Sequence, residues 1–263
     1  MARQGLPIVY EIPTIGLDGA LFDPHPKRAS KISEVIAADL VRDIVSGDFL
    51  IGNHLPPEAA MLEQYSVGRE SLREALRLLE AQGLITIKRG PGGGPVVAGV
   101  DPRYLARTSA LYFHLSGATY DEVMETWQVL ESAVAAKVAG LHHRADVRHA
   151  LAPHLRLPSS GIERDEFITG AGFHSTLAQL SGSRVLVLLL RAISHMVVEH
   201  VAEALTPLEE WEDVESEHDA IAQAMFDGRP SKSQRLMSEH IGHIRDSCQR
   251  RWPERLLELV EWR

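Results

Sequence analysis

The sequence predicts a mostly α-helical protein with one small β-hairpin. A three-helix N-terminal domain ends in the hairpin, and an all-α antiparallel helical bundle follows. Helical spacing of apolar residues recurs in three stretches between residues 31 and 81. Two β-prone runs, at residues 84–87 and in "PVVAGV", flank the turn "KRGPGGG". After a predicted connector at "GVDPRY", residues 99–104, helical spacing continues almost throughout, without the alternation typical of strands.

The composition is that of a globular protein with room for two domains. The chain has 263 residues, of which 44% are hydrophobic. Its longest aliphatic run, residues 185–190, is far shorter than the roughly 18 residues of a membrane span. The N-terminus lacks the apolar core of a secretory signal, and the single cysteine, Cys248, cannot form an internal disulfide. These features predict a cytoplasmic protein with no membrane segment.

The first helices follow a glycine- and proline-rich leader. Residues 1–30 show no sustained period, which predicts an N-terminal arm or partly disordered segment. A helix is predicted from Lys31 to a stop at Gly47. A second helix opens after Pro56 and Pro57, where a missing backbone donor is harmless. The apolar stripe of the first helix consists of Ile32, Val35, Ile36, Leu40 and Ile44.

The third helix carries an arginine on every turn. It is predicted to begin after Gly68 as N-cap and to end at Gly83. Arg69, Arg73 and Arg77 recur every four residues on one side. The predicted buried side consists of Leu72, Ala75, Leu76 and Leu79. With the hairpin, residues 31–100 form a predicted winged helix-turn-helix domain.

Such a helix and hairpin suit a nucleic-acid partner. A helix fits the major groove of DNA, and arginine can bind guanine through two acceptors. Arg69 and Arg73 lie near the N-terminal end, which enters the groove. Lys88 and Arg89 stand at the base of the hairpin, and its glycine tip lets the backbone approach DNA closely.

Two other interpretations apply to the same stretch. The arginines could form a solvated surface paired with Glu70, Glu74 and Glu80 along the helix. The glycine run could be a flexible loop, or a nucleotide-binding loop. The nucleotide-binding interpretation fails, because such a loop needs lysine and then serine or threonine after its last glycine, whereas Pro95 and a β-prone run follow here.

Net charge limits how a polyanion is bound. The chain has a formal net charge of −9. Residues 1–100 have 10 Lys+Arg against 12 Asp+Glu, and residues 101–263 have 17 against 24. Non-specific DNA affinity comes mainly from basic side chains that neutralise phosphates. Only local basic clusters can therefore hold DNA.

The first domain resembles the GntR family of bacterial transcription regulators. The resemblance rests on "G-x-x-L-P-P-E" at residues 52–58, on "Y-S-V-G-R-E-S-L-R-E-A-L-R-L-L-E-A-Q-G-L-I" at residues 65–85, and on the basic glycine wing. It implies that Arg69, Ser71 and Arg73 contact DNA from the recognition helix. It also implies that the wing residues Lys88, Arg89, Gly92 and Gly93 lie near the DNA.

Three positions depart from the family pattern. Serine or threonine is usual where Pro57 and Gly68 stand, so both helix N-caps are expected to be weak. A long polar or basic residue is common where Ala59 stands. Its absence removes one expected DNA contact and is expected to shift operator preference.

Residues 101–263 are predicted to form a bundle of six or seven helices, in which three histidines need an explanation. His174, His218 and His240 have apolar neighbours and lie on different predicted helices. Neutral imidazoles bind zinc and nickel. The chain has 13 histidines, so three unrelated ones would be the default. Helices are predicted at residues 120–141 and near residues 145–156, 163–181, 183–205, 208–227 and 231–251.

The histidine segments resemble the FCD domain, the effector-binding domain of the FadR subfamily of GntR regulators. The matching segments are "F-H-x-x-L-A-x-L-S-G-S", "E-H-D-A-I-A-Q-A-M-F-D-G" and "M-S-E-H-I", within residues 105–251. The resemblance implies one divalent metal, zinc or nickel, held by an aspartate and by His174, His218 and His240. The aspartate position is Gly170 here.

Three histidines completed by water or by an effector remain a reasonable site. Asp165 and Glu166 lie about two helical turns from His174, too far to replace the missing ligand. Three further histidines, His195, His200 and His243, are spare candidates expected to be structural or exposed.

The effector is expected to be a carboxylate or an acyl compound. The family binds carboxylates at its metal, while its acyl-CoA-binding members dispense with the metal. An arginine usual before the "L-E" of the first long helix is absent, and Trp127 and Gln128 occupy that area. Gln128 and Arg191 are the side chains predicted to contact the effector.

The predicted function is a ligand-responsive transcription regulator, and repression is the commoner family behaviour. A homodimer would place two recognition helices on a roughly palindromic operator of double-stranded DNA. One alternative is a sensor for which the metal itself is the signal. Another is a metal-dependent hydrolase, which would need Glu217 or Glu239 beside the metal. These neighbours of His218 and His240 are expected to point away, so no enzyme is predicted.

Overall fold

A computed structural model describes residues 31–155, 172–200 and 211–262. The described chain divides into two compact units, one ending at Tyr104 and the other beginning at Leu105. The described residues are mostly α-helical and contain one two-stranded antiparallel sheet, which confirms the predicted fold class. Of the described helices, none has the length and apolar character needed to cross a bilayer.

The first unit contains three helices and a hairpin. Strand β1 pairs with β2 so that Ile85 lies opposite Val97 and Lys88 lies opposite Gly94. His54 bridges to Val96 at the other edge of β2. The elements are α1 (Ile32–Ser46), α2 (Glu58–Tyr65), α3 (Arg69–Ala81), β1 (Ile85–Lys88) and β2 (Gly94–Val97).

Helix α1 ends as predicted, but its buried face is rotated from the predicted one. Gly47 is the C-cap, with φ of 91°. Ile32 and Val35 are 59% and 48% exposed, which corrects their assignment to the buried stripe. At about 100° per residue they lie roughly 80° and 140° around the helix from the buried Leu40. Ser33 lies nearer to the buried side and is itself buried.

The N-caps of α2 and α3 are weak, as expected. Pro57 and Gly68 occupy the two N-cap positions, and neither provides a side-chain hydrogen bond. Helix α3 is therefore held by its buried face, which packs against α1. That face consists of the four predicted residues Leu72, Ala75, Leu76 and Leu79.

Seven described helices follow the hairpin, and all but the first three residues of the first helix lie in the second unit. The first begins at Pro102, inside the stretch expected to be a connector, because proline is well suited to the first turn of a helix. Parts of the predicted helices at residues 163–181, 183–205 and 208–227 lie outside the described residues. The helices are α4 (Pro102–Ser116), α5 (Tyr120–Ala139), α6 (Arg144–Leu151), α7 (Phe173–Leu180), α8 (Arg184–His200), α9 (Trp211–Phe226) and α10 (Pro230–Arg251).

Helix α5 is central to this unit. It begins with a capping box, in which the side chains and backbone of Thr119 and Glu122 bond to each other. It packs along α10 and also contacts α7, α8 and α9. Ten of its residues are buried, among them Trp127 and Glu131. The helices that carry the three candidate ligands thus pack around α5 or against its neighbours.

Candidate functional site

The arginines of α3 are exposed, as is required of a helix whose side chains contact DNA bases. Arg69 and Arg73 lie on its first turns and face solvent, while Ser71 is half-buried. The Arg73 guanidinium lies 3.6 Å from the Glu58 carboxylate of α2, which restrains it without burying it. Ala59 is exposed on α2, so this departure from the family pattern leaves a surface position without a polar group.

The glutamates of α3 do not neutralise its arginines. Glu74 pairs instead with Lys31 at 3.7 Å. Among the described ion pairs, none joins two side chains of α3, and none includes Arg69 or Arg77. The alternative of a salt-bridged surface helix therefore loses its main support.

The wing ends in a tight glycine turn. Lys88 and Arg89 are exposed at the end of β1. Gly92 has φ of 73°, and a Cβ at Gly93 would lie 2.3 Å from the Lys88 carbonyl oxygen. The Gly93 N–H donates to the Gly90 carbonyl at 2.9 Å. Only glycine fits at Gly93, so the tip presents backbone and two basic side chains.

Three histidines meet in the second unit. His174 of α7, His218 of α9 and His240 of α10 place one ligand nitrogen each within 4.8 Å of the others. The Nε2 atom of His240 lies 3.2 Å from that of His218 and 3.3 Å from that of His174. The predicted convergence of these side chains is present.

Burial keeps the deeper histidines neutral. His218 and His240 are buried, and His174 is half-buried. Burial lowers the pKa of His218 well below its usual value, and the neighbouring His240 and His174 lower it further. Burial also lowers the pKa of His240, although the Glu217 carboxylate opposes this shift. Both imidazoles thus present the neutral form that binds metals.

Two carboxylates lie behind these imidazoles. Glu131 of α5 is 1% exposed; its Oε1 accepts the Trp127 indole N–H at 3.1 Å and lies 3.3 Å from Nδ1 of His174. Glu217 of α9 lies 2.7 Å from Nδ1 of His240 and 2.5 Å from Nδ1 of His243. Burial alone would raise the pKa of Glu217, but the hydrogen bonds from both histidines outweigh it and lower that pKa.

Glu217 and Glu239 are expected from the sequence to point away from the histidine centre, and this expectation is wrong for Glu217. Glu239 does pair with Arg235 at 2.7 Å. Glu217, however, crosses from α9 to His240 on α10, a contact that sequence spacing within one helix cannot reveal. No signal other than its place beside His218 marks Glu217 in the sequence.

Aromatic rings restrain the imidazoles. Phe173 stacks on His218 with centroids 4.2 Å apart. Trp127 is tilted against His174 at 5.4 Å. Trp127 stands in the area where the resemblance leads one to expect an arginine, so an uncharged ring borders the centre there.

The predicted effector contacts are both engaged within the protein. Gln128 Nε2 donates to the Ser238 carbonyl at 2.7 Å and approaches its hydroxyl at 3.2 Å. Arg191 is half-buried and donates to the Ser175 hydroxyl at 3.1 Å. Their roles toward an effector stay predictions.

The spare histidines differ in position. His195 is half-buried, and His243 is 65% exposed and bound to Glu217. Three further residues of the sequence argument, and the side chain of His200, lie outside the described parts of the chain. Those three residues are Asp165, Glu166 and Gly170.

The donor set fits a divalent metal ion. Ligand nitrogens about 2.1 Å from one ion, at angles of roughly 90–109°, lie about 3.0–3.4 Å apart. The two Nε2 separations of 3.2 and 3.3 Å fall within that range. Neutral imidazoles suit zinc and nickel. His174, His218 and His240 are thus the candidate ligands.

An exposed arginine helix with a glycine wing, joined to a helical unit with a histidine centre, is the organisation of a transcription regulator. Comparison with known families agrees. Residues 32–93 match the model of the bacterial regulatory proteins of the gntR family. Residues 122–243 match the FCD domain. The chain belongs to the GntR family and has the FCD domain of its FadR-like members.

The names of similar proteins agree with this assignment, and a solved structure has the same fold. RmpR of Mycobacterium gastri, named as an HTH-type transcriptional regulator, is 28% identical over 83% of this chain and 79% of its own length. The transcriptional repressor NanR of Cronobacter sakazakii is 22% identical over 84% and 86%. A GntR structure from Streptococcus agalactiae has the same fold, with a TM-score of 0.55, 20% identity, and coverage of 81% of this chain and 99% of that one. The matched family and relatives are transcription regulators and not enzymes, as the sequence predicts.

Proposed function

We propose that this regulator is a repressor that binds a roughly palindromic operator as a homodimer. Its operator affinity is controlled by a small-molecule effector that binds at a divalent metal centre in the second unit. The convergence of His174, His218 and His240 supports the centre, because imidazole nitrogens from three helices lie within 4.8 Å of one another. NanR, a relative named as a repressor, supports repression.

The residues of the first unit divide between base recognition and positioning. Arg69 and Arg73 extend from the exposed start of α3, where side chains of a recognition helix reach base edges. Ser71 lies between them on the same turn. Lys88, Arg89 and the backbone at Gly92 and Gly93 suit phosphate contacts, which fix the register of the protein on DNA.

The three histidines would hold the ion through Nε2. When bound, the ion supplies positive charge and an open coordination position for an anionic group such as a carboxylate. The residues around it then act on the histidines. Phe173 restricts the ring of His218 and Trp127 that of His174, and burial lowers the pKa of His218 and of His240.

A second candidate is a regulator for which the metal itself is the signal. One observation favours it: the rings of His174 and His240 already have carboxylates at Nδ1, so the centre is organised without an organic ligand. In this case metal alone would change operator affinity.

Operator binding tests the proposal. Fluorescence anisotropy would compare DNA from upstream of the protein's own gene with random DNA of equal length, across a range of salt. We expect preference for the former, and no preference would overturn the proposal. Elemental analysis of the wild-type chain and of His240→Ala would test the centre, which predicts about one ion per chain in the wild type and a large loss in the variant. Operator affinity would then be measured before and after nickel is added to the EDTA-treated protein. A change would indicate that the metal is the signal, and no change would indicate that it is a site for the effector.

A further inference from the structure

We infer that Glu131 and Glu217 are positioning residues for the metal centre. Each carboxylate lies against Nδ1 of one ligand histidine, Glu217 through a hydrogen bond to His240 and Glu131 at ion-pair distance from His174. Each thereby favours a proton on Nδ1 and directs the Nε2 lone pair to the shared point. The inference rests on the proposed metal centre and adds two residues from outside the histidine set. Neither follows from the spacing of the three histidines.

The contact between Glu217 and His240 supports the positioning role of Glu217. Glu217 Oε2 lies 2.7 Å from Nδ1 of His240, a normal hydrogen-bond distance. A neutral imidazole has one N–H, and an ionised carboxylate only accepts. The proton therefore sits on Nδ1, and Nε2 presents its lone pair toward His174 and His218. The second oxygen of Glu217 is held by His243, which fixes the orientation of the carboxylate.

The position of Glu131 beside His174 supports the positioning role of Glu131. Glu131 Oε1 lies 3.3 Å from Nδ1 of His174, at ion-pair distance but without a hydrogen bond in this arrangement, and it accepts the Trp127 indole N–H. The other oxygen, Oε2, is buried and has no hydrogen-bond partner among the described residues. Burying a carboxylate is costly unless it is paired. A proton on Nδ1 of His174 and a cation beyond the ring would both offset that cost.

These carboxylates also supply charge that the candidate ligands lack. The three imidazoles are neutral ligands, and position 170 is glycine, where the resemblance leads one to expect an acidic ligand. Two carboxylates, each one imidazole ring behind the ligand nitrogens, place negative charge near the ion instead. Partners of this kind fix the ring tautomer and make the imidazole a better donor.

Metal affinity of the full chain tests the inference. The variants are Glu131→Gln and Glu217→Gln, which keep side-chain size and remove charge. Glu239→Gln is the matched control, because Glu239 adjoins His240 but pairs with Arg235 on the outer surface. Nickel would be titrated into EDTA-treated protein by calorimetry. We expect each test variant to bind about 10–100-fold more weakly than wild type, with little change in Glu239→Gln.

The histidine tautomers provide a readout that a merely structural role would not change. Nitrogen-15 NMR of the metal-free protein distinguishes a proton on Nδ1 from one on Nε2. In the wild type we expect Nδ1–H at His174 and His240. Glu217→Gln should alter the tautomer balance of His240 and of its other partner His243 but not that of His174, and Glu131→Gln should alter that of His174 but not that of His240.

The outcomes separate the inference from the proposed centre. If the wild type binds no nickel, the centre itself is wrong. If it binds nickel and both test variants bind as tightly as Glu239→Gln, the centre stands and the positioning role is overturned. If a variant is weak and less stable by thermal unfolding, its NMR spectrum on folded protein decides: an unchanged tautomer overturns the role, and a changed one supports it.

Discussion

At the residue scale, the contribution of the α3 arginines to operator recognition can be separated from non-specific attraction to DNA. Arg69 has no ion pair among the described residues, and Arg73 is restrained by Glu58 yet exposed. The chain as a whole has a net charge of −9. Because the chain has more negative than positive charge, its affinity for DNA is expected to depend on a few base contacts and on dimeric geometry.

Replacing Arg69 or Arg73 by alanine should selectively weaken operator binding. A bidentate contact to a base contributes about 1–3 kcal/mol of discrimination, so we expect a loss of roughly 5–150-fold on the operator. Binding to random DNA should change far less. Anisotropy titrations at several salt concentrations measure both, with Arg42→Ala on α1 as an exposed control. Equal losses on the two DNAs would show that the arginines contact phosphates only.

Acid should destabilise the metal-free second unit through its buried histidines. Because burial lowers the pKa of His218 well below about 6.5, the unfolded chain takes up a proton that the folded chain does not. The contribution is complete above that pH and is lost as pH falls toward the folded pKa, at about 1.4 kcal/mol per pH unit. Urea unfolding of EDTA-treated protein between pH 7.5 and 5.5 measures the slope. His218→Gln should reduce it by about one proton, while the exposed His142→Gln should not; equal slopes in both would contradict the argument.

At the element scale, sequence patterns predict which face of a helix is buried better than they predict how helices contact each other. The buried side of α3 follows directly from its i, i+3, i+4 spacing. The same method misplaces Ile32 and Val35 on α1, because apolar residues occur on more than one side of this helix and their spacing does not show which side a neighbour covers. The start of α4 at Pro102 was missed because a proline marks either a connector or a first helical turn.

The candidate site shows the same division. Motif resemblance predicts the three histidines, and the described helices bring them together. The roles of Glu131 and Glu217 depend on how α5 and α9 are rotated toward α7 and α10. That rotation is set by packing of whole helices and not by spacing along one of them.

A better N-cap on α3 should stabilise the first unit. Gly68 has extended backbone angles, and a Cβ there would meet no atom within 4 Å. Gly68→Ser adds a cap acceptor and reduces the freedom of the unfolded chain, so we expect a gain of about 0.5–1 kcal/mol. For a domain of this size that raises the melting temperature by roughly 2–8 °C, measurable by calorimetry.

Gly83→Ser is the opposing control for that prediction. Gly83 has φ of 71°, and an added Cβ would lie 2.3 Å from the Tyr104 ring. This substitution should lower the melting temperature of the first unit. A fall for Gly68→Ser as well would mean that the α3 N-terminus cannot accept a side-chain cap.

At the scale of the whole molecule, the proposed dimer makes half-site spacing decisive. Two recognition helices reach one face of DNA when the half-site centres are about 34–36 Å, or one turn, apart. Inserting about five base pairs between half-sites should reduce affinity to that of a single half-site, since it rotates one half-site to the opposite face. Inserting about ten should restore part of the loss. Anisotropy and sedimentation would show two chains per operator; one chain per operator with no effect of spacing would contradict the dimer.

If the metal itself is the signal, metal and operator binding should be reciprocally coupled in the whole chain. The three candidate ligands lie on α7, α9 and α10, so an ion that joins them restricts the arrangement of those helices. We expect nickel to change operator affinity by a factor within the usual range of about 5–150, and operator DNA to change nickel affinity by the same factor. Anisotropy with and without nickel gives the first ratio, and calorimetry with and without operator gives the second. His240→Ala should abolish both effects, and the exposed His142→Ala neither. Ratios of one in both directions would show that the metal alone is not the signal and would leave the ion as a site for the effector.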